Sequence, residues 1–143
     1  RRSGRVLTPQ GRKDNMREIK FRAWDLRKPN MMFGWESLRD THLLEDGFDN
    51  KDCILMQFTG LLDKNGINKE VYEGDIIYFT EFYKAGGLEG SREGDRQHKK
   101  EIYWNAEECA WYAGDFSLAW IISQDDTWEI LGNIYENPEL LKV

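Results

Sequence analysis

The sequence is poor in the residues from which disulfide frameworks and metal centres are built. Its two cysteines, Cys53 and Cys109, lie far apart and without the spacing of metal ligands. We therefore expect no metal, no cofactor and a reduced, cytoplasmic protein. The chain also has no signal peptide and no apolar run of about 18 residues, which argues against a membrane partner.

Familiar ligand-binding motifs are missing as well. Residues 84–100 are rich in glycine, but no Gly-Lys-Ser/Thr follows them. They therefore predict a mobile surface loop, not a phosphate cradle, and leave His98 without partners. The Asp63-x-Asn65 spacing lacks the further oxygen ligands of an EF-hand loop. It indicates a hairpin turn at residues 63–66 instead.

Acid–base chemistry has little support in the sequence. The pairs Glu107-Glu108 and Asp125-Asp126 are the candidates. Neighbours on a strand point to opposite faces, and acids in turns are usually solvated, so neither pair predicts a catalyst. We expect no catalytic residue and no enzyme activity.

Charge is distributed unevenly along the chain. Residues 1–15 hold five basic side chains and one acidic one, whereas residues 16–143 hold 15 basic and 25 acidic side chains, a net charge of −10. The basic segment has no periodicity, which predicts a disordered leader or a vector-derived remnant. The acidic remainder repels phosphate backbones and argues against nucleic acid as a partner.

The clearest strand signal is the run from Ile76 to Phe79, just after Gly74. Ile77 and Phe79 alternate with Ile76 and Tyr78, so both faces of the strand are apolar. The pattern predicts a central strand that is covered on each side.

Residues 16–71 predict a smaller β-rich subdomain. Alternating apolar residues indicate strands near Ile19 and Ile54, and the apolar residues 31–35 suit a hairpin partner of the first strand. Residues 37–50 fit a short helix and an irregular loop equally well. A helix there would make the fold class α+β.

Residues 72–143 predict an SH3-like barrel of five short strands, so the expected fold is mainly β. After the central strand, further strands are expected at residues 101–104, 109–113, 118–122 and 128–131. Closure into a barrel would bury one face of each strand and leave few free edges. Asn137 before Pro138 then predicts one C-terminal helical turn.

Four blocks of the sequence occur in the same order in a known protein family. They read REIKFRAWD at residues 17–25, LMQFTGL with DKNG at 55–66, VYEGDI at 71–76 and ILGNIYENPEL at 130–140. The chain thereby resembles the YopX family of phage and prophage proteins over residues 16–141. The resemblance implies a mainly β protein that acts in a bacterial host, and it carries no catalytic or cofactor-binding residue over to this sequence.

Six tryptophans in a small acidic domain favour an interaction module. We expect a non-enzymatic protein that forms a homo-oligomer or binds a bacterial host or phage protein, with Trp104, Trp111 and Tyr112 as the candidate surface. A small nucleic-acid-binding barrel that uses these rings as stacking platforms is the alternative. Strand alternation places Trp111 and Tyr112 on opposite faces, so the three rings are not expected to form one platform.

Overall fold

The computed structural model describes residues 18–27, 30–40, 52–63, 69–87, 90–125 and 127–142. The predicted leader, most of the predicted turn at residues 63–66 and residues 41–50 lie outside these ranges. Within them the protein is mainly β and contains two sheets, which confirms the predicted fold class.

The first sheet has four antiparallel strands in the order β2-β1-β3-β4. Its strands are β1 (Phe21–Asp25), β2 (Met31–Phe33), β3 (Cys53–Leu62) and β4 (Glu70–Tyr72). Strand β2 is the hairpin partner of β1, as predicted. Helix α1 (Trp35–Asp40) follows β2 and buries Leu38. Of the two structures considered for residues 37–50, a short helix or an irregular loop, the helix is therefore correct for residues 37–40.

The second sheet has five strands in the order β8-β7-β6-β5-β9 and curls into a half-barrel. Its strands are β5 (Asp75–Gly87), β6 (Gly90–Asn105), β7 (Ala110–Ala113), β8 (Phe116–Ser117) and β9 (Glu129–Asn133). The run from Ile76 to Phe79 lies in β5, between β6 and β9, so the prediction of a central strand is confirmed. Ile77 and Phe79 on one face and Ile76 on the other are fully buried, whereas Tyr78 is 37% exposed, so the predicted cover of the second face is incomplete.

One core cluster lies under the second sheet and draws on both halves of the chain. It contains Val71, Ile77, Phe79, Ile102, Ala113, Leu118, Ile121 and Trp128, with Leu61 packed against it. Val71 and Leu61 belong to strands of the first sheet. The core therefore extends across the boundary that the sequence suggested at residues 71–72.

The predicted strand at residues 118–122 is wrong, because this segment forms helix α2 (Leu118–Gln124). The hydroxyl of Ser117 accepts a hydrogen bond from the backbone N–H of Trp120 and so caps the first turn. Leu118 and Ile121, three residues apart, share the face that packs on the core. The fifth strand of the sheet is the two-residue β8 instead.

Asp125, predicted to be a solvated turn acid, is buried after α2 with only 7% of its surface exposed. Its carboxylate accepts hydrogen bonds from the backbone N–H groups of Thr80 and Thr127 and from the Thr127 hydroxyl. Burial acts to raise the pKa of Asp125, but these hydrogen bonds together lower it. The hydrogen bond from Thr80 to this carboxylate therefore connects the C-terminal end of α2 to β5.

The predicted loop at residues 84–100 is also wrong. These residues continue β5 and β6 as a long hairpin, in which the ladder runs from Ile76 opposite Glu101 to Gly87 opposite Gly90. The segment has few apolar residues to bury, and backbone pairing holds it as strands regardless. Composition alone could not show that pairing.

A buried ion pair joins the two sheets. Arg22 of β1 donates to Asp75 at the start of β5 over 2.8 Å, and the other oxygen of Asp75 accepts the backbone N–H of Tyr72. Gly74 turns the chain between them with φ of +89°, and a Cβ at that position would lie 3.1 Å from the sulfur of Met56. Only glycine meets both demands without strain.

The chain ends in a short 3₁₀ helix (Pro138–Leu141), which confirms the predicted helical turn. Asn137 makes no side-chain cap, contrary to the prediction. Its Oδ1 accepts the backbone N–H of Asn133 over 3.3 Å instead. The side chain of Asn137 therefore connects the 3₁₀ helix to the last residue of β9.

Candidate functional site

Two tryptophans stand side by side on neighbouring strands of the second sheet. Trp104 of β6 pairs directly with Trp111 of β7, and their ring centroids lie 5.1 Å apart with the rings edge to face. Trp111 is half-buried against the core, while 45% of Trp104 is exposed. A large aromatic ring so exposed marks a surface that can bind.

The ring pair separates two cavities, and we call the whole surface the tryptophan groove. The smaller cavity, of about 310 Å³, is lined by Gln57, Glu73 and the two tryptophans. The larger one, of about 370 Å³, is lined by the same rings and by Thr59, Leu61, Cys109, Ala110, Ser117, Leu118, Ala119 and Ile122. The groove thus has a polar side and a mainly apolar side.

Local backbone geometry supplies the apolar side. Gly60 adopts φ of +91°, and the register of β3 against β4 shifts between Phe58 and Leu62. A bulge of this kind redirects the following side chain, and Leu61 packs against the core of the second sheet. The hydroxyl of Thr59 donates to the carbonyl of Val71, so this polar group in the groove already has a partner.

The polar side of the groove is acidic. Glu73 accepts a hydrogen bond from the backbone N–H of Gln57 over 3.2 Å, which fixes its carboxylate. Burial raises the pKa of Glu101, and repulsion from Glu73 raises it further. The pKa of Tyr135 is raised by burial and then by these two carboxylates. Arg22 also lies near and acts to lower the pKa of Tyr135, so Glu73 is the acidic residue that lines this cavity.

The three predicted site residues do not share one face. Tyr112 pairs with Tyr103, on the side of β7 opposite to Trp111, and their ring centroids are 6.1 Å apart. The structure thus brings Trp104 and Trp111 together and leaves Tyr112 outside the groove. Alternation along β7 accounts for the separation.

The described residues contain no group of three or more histidine, cysteine, aspartate or glutamate side chains placed to hold a metal ion. Asp63, considered above as a calcium ligand, accepts the backbone N–H groups of Lys69 and Ile130. Its carboxylate therefore joins the β3–β4 hairpin to β9. No helix in the described ranges is long and apolar enough to cross a membrane.

Comparison with known proteins places the chain in a family. A family model described as YopX protein matches residues 20–142, nearly the whole chain. The chain belongs to the YopX family. No curated protein and no solved structure matches it. The four sequence blocks thus identified the family correctly.

Sequence reasoning missed most of the groove. Gln57, Glu73 and Leu61 come from or follow strands of the first sheet, and only the tertiary arrangement sets them beside the tryptophans. Ala119 and Ile122 lie on α2, whereas the apolar run at residues 118–122 predicts a strand. Ser117 as a cap before an apolar turn was the available signal.

Proposed function

We propose that the tryptophan groove binds a segment of a partner protein in which an apolar side chain stands next to a lysine or arginine. The exposed ring of Trp104 beside an apolar cavity is the observation that supports this proposal. Tryptophan is a frequent anchor in protein interfaces, because it buries much surface at a small cost in side-chain entropy.

The negative charge of Glu73 determines which side of the bound segment should carry the lysine or arginine. Glu73 lines the smaller cavity together with both tryptophans, and after burial its charge is the second cause of the raised pKa of Glu101. A lysine or arginine bound there would relieve this repulsion. The apolar side chain of the segment would then occupy the larger cavity, next to Leu61 and Ile122.

The wider biological role is part of the same proposal. Membership of the YopX family supports a phage- or prophage-encoded protein of the bacterial cytoplasm whose partner is a host or phage protein. The strand order, with the last strand beside the first of the sheet, supports an SH3-like topology. The proposed role is non-enzymatic, and in it Glu73 serves as an acidic lining residue whose carboxylate is held by the backbone N–H of Gln57.

A displayed peptide library selected on the immobilised full chain tests the proposal. We expect enriched peptides to carry an apolar residue adjacent to lysine or arginine. Trp104→Ala should weaken their binding by at least about tenfold, which corresponds to about 1.4 kcal/mol. Phe82→Ala is the matched control, since Phe82 is also an exposed aromatic residue, at 55%, but lies on the distal hairpin.

Equal effects of the two substitutions would refute the groove as the binding site. Enrichment of acidic peptides would refute the assigned chemistry. A dimer that Trp104→Ala dissociates would show instead that a second copy of the chain occupies the groove, and light scattering of both variants would detect it.

A further inference from the structure

The distal part of the β5–β6 hairpin extends beyond its neighbours. Strand β9 pairs with β5 only over residues 75–78, and β7 pairs with β6 only over residues 102–105. Residues 80–87 and 90–100 therefore form a two-stranded ribbon, which we call the arm. Neither edge of the arm pairs with another strand of the described chain. This surface is separate from the tryptophan groove.

Alternation along β6 places the charged side chains of the arm on two different faces. Arg92, Arg96, His98 and Lys100 follow one another at alternate positions of β6, so they lie on one face. Glu93 lies on the opposite face, as do Asp95 and Lys99. The arm thus has a basic face in a protein that is acidic as a whole.

No ion pair within the described ranges involves Arg92, Arg96 or Lys100. The guanidinium of Arg96 lies over the ring of Tyr83, 4.5 Å from its centroid. On the other face, by contrast, Lys84 pairs with Glu93 over 3.4 Å.

The carboxylate that shares the basic face is already engaged. Glu81 lies 2.9 Å from Nε2 of His98, which gives His98 the partner that the sequence did not show. The imidazole also packs against the rings of Phe79 and Phe116, at centroid distances of 5.1 and 5.0 Å, and these two rings contact each other. These contacts fix the base of the arm. Arg92 and Arg96 lie beyond them towards the tip of the arm, and Lys100 lies on the side of the sheet.

We propose that the basic face of the arm binds single-stranded nucleic acid. Arg92, Arg96 and Lys100 are spaced four residues apart on one extended strand, so neighbouring charges lie about 14 Å apart and the row spans about 27 Å. A regular row of cations along a flat ribbon suits an extended polyanion, which it contacts through the phosphates.

Two features favour a single strand over a duplex. A ribbon inserted into the major groove is flanked by phosphates on both sides, and the face with Glu93 and Asp95, where Lys84 and Lys99 only balance the two acids, offers them no net positive charge. A single strand can lie along the basic face alone. The net charge of the chain argues against nucleic acid in general. Charges beyond about 10 Å are largely screened at 0.1 M salt, however, so binding at the arm depends mainly on its own row of three cations.

The test compares two double variants of the full chain by fluorescence anisotropy with a labelled 20-nucleotide oligothymidylate and a 20-base-pair duplex. Arg92→Gln with Arg96→Gln neutralises the basic face. Lys84→Gln with Lys99→Gln removes the same charge from the opposite face and is the matched control. Both double variants contain the basic residues 1–15. The difference between their affinities for the oligonucleotide therefore reports the contribution of the arm.

We expect the basic-face double to weaken binding of the oligothymidylate by about tenfold or more at 0.1 M salt, and to reduce the slope of log affinity against log salt by about 1.4. The control should keep its slope. Circular dichroism and urea unfolding establish that both variants fold.

Several results would overturn the proposal. Equal losses in the two doubles would show unspecific attraction, and no loss in either would place any binding in the leader. Tighter binding of the duplex would contradict the single-strand assignment. A dimer that dissociates only in the basic-face double would identify an acidic second copy as the occupant.

Discussion

Removal of the Asp75 carboxylate should strongly destabilise the junction of the two sheets. The side chain of Asp75 is 3% exposed and that of Arg22 14%. Asp75→Ala leaves the guanidinium without its anion and the backbone N–H of Tyr72 without its acceptor. Breaking a buried pair costs about 3–5 kcal/mol and an orphaned donor about 1–3 kcal/mol. Arg22 keeps a long contact of 3.5 Å to the carbonyl of Glu73, so we expect a loss near the lower bound, about 4 kcal/mol.

Urea unfolding followed by tryptophan fluorescence measures this loss. With a slope of about 2 kcal/mol per molar, the midpoint of Asp75→Ala should fall by roughly 2 M. Asp75→Asn retains an oxygen that can accept the backbone N–H of Tyr72. Its effect on stability therefore measures the loss of the negative charge alone. The double variant Arg22→Met with Asp75→Asn removes both ions, and it should unfold within about 1 kcal/mol of the original protein, because neither ion then remains buried alone.

The pH dependence tests a separate property, namely whether the pairing with Arg22 offsets the burial of the Asp75 carboxylate. Burial raises the pKa of Asp75 above its ordinary value of 3.8, although Arg22 acts to lower it. The native state then holds a proton that the unfolded state has lost, so the free energy of unfolding decreases as pH rises from 3.8 through the raised pKa. Arg22→Met should raise the pKa further and extend this decrease to higher pH. If Asp75→Asn left the urea midpoint unchanged, the pair would not hold the sheets together.

Three further predictions concern individual residues. Ser117→Ala should cost about 1 kcal/mol of unfolding free energy through the lost cap of α2, and an unchanged urea midpoint would contradict this capping role. Asp125→Ala should cost about 1–3 kcal/mol. Since the pKa of Asp125 is lowered, its contribution should be present above pH 3.8 and be lost as pH falls through the lowered value, which urea titrations at several pH values would detect. Glu73→Gln should lower the pKa of Glu101 in an NMR titration, and an unmoved pKa would exclude the repulsion described above.

Local signals predicted most of the strands correctly. Alternation identified β1, β3 and the part of β6 near Trp104, and the strands expected at residues 101–104 and 109–113 correspond to the end of β6 and to β7. Such signals act within a few residues, where the pleat and the turn fix the pattern. The family followed from four such blocks, because their order along the chain is specific.

The errors share a physical cause. The arm was read as a loop because glycine and charge disfavour burial, yet a hairpin can form from backbone pairing without a buried face. Helix α2 was read as a strand because a short apolar run fits both structures, and the cap at Ser117 decides between them. The groove depends on contacts between residues far apart in sequence, such as Glu73 and Trp111, which no single sequence reveals.

Helix α2 has a consequence for the order in which the molecule folds and opens. It follows β8 and precedes β9, the two outer strands of the second sheet, and the described residues show no ladder between those strands. The gap is therefore covered by side chains such as Leu118 and Ile121. A strand leaves a sheet only when its backbone hydrogen bonds break. Helix α2 is held by side-chain packing and by the hydrogen bond from Thr80 to Asp125, so it can separate with its own helical hydrogen bonds intact. Docking of α2 is thus expected to be the last step of folding, and amide hydrogens beneath it should exchange in the first opening of the native state.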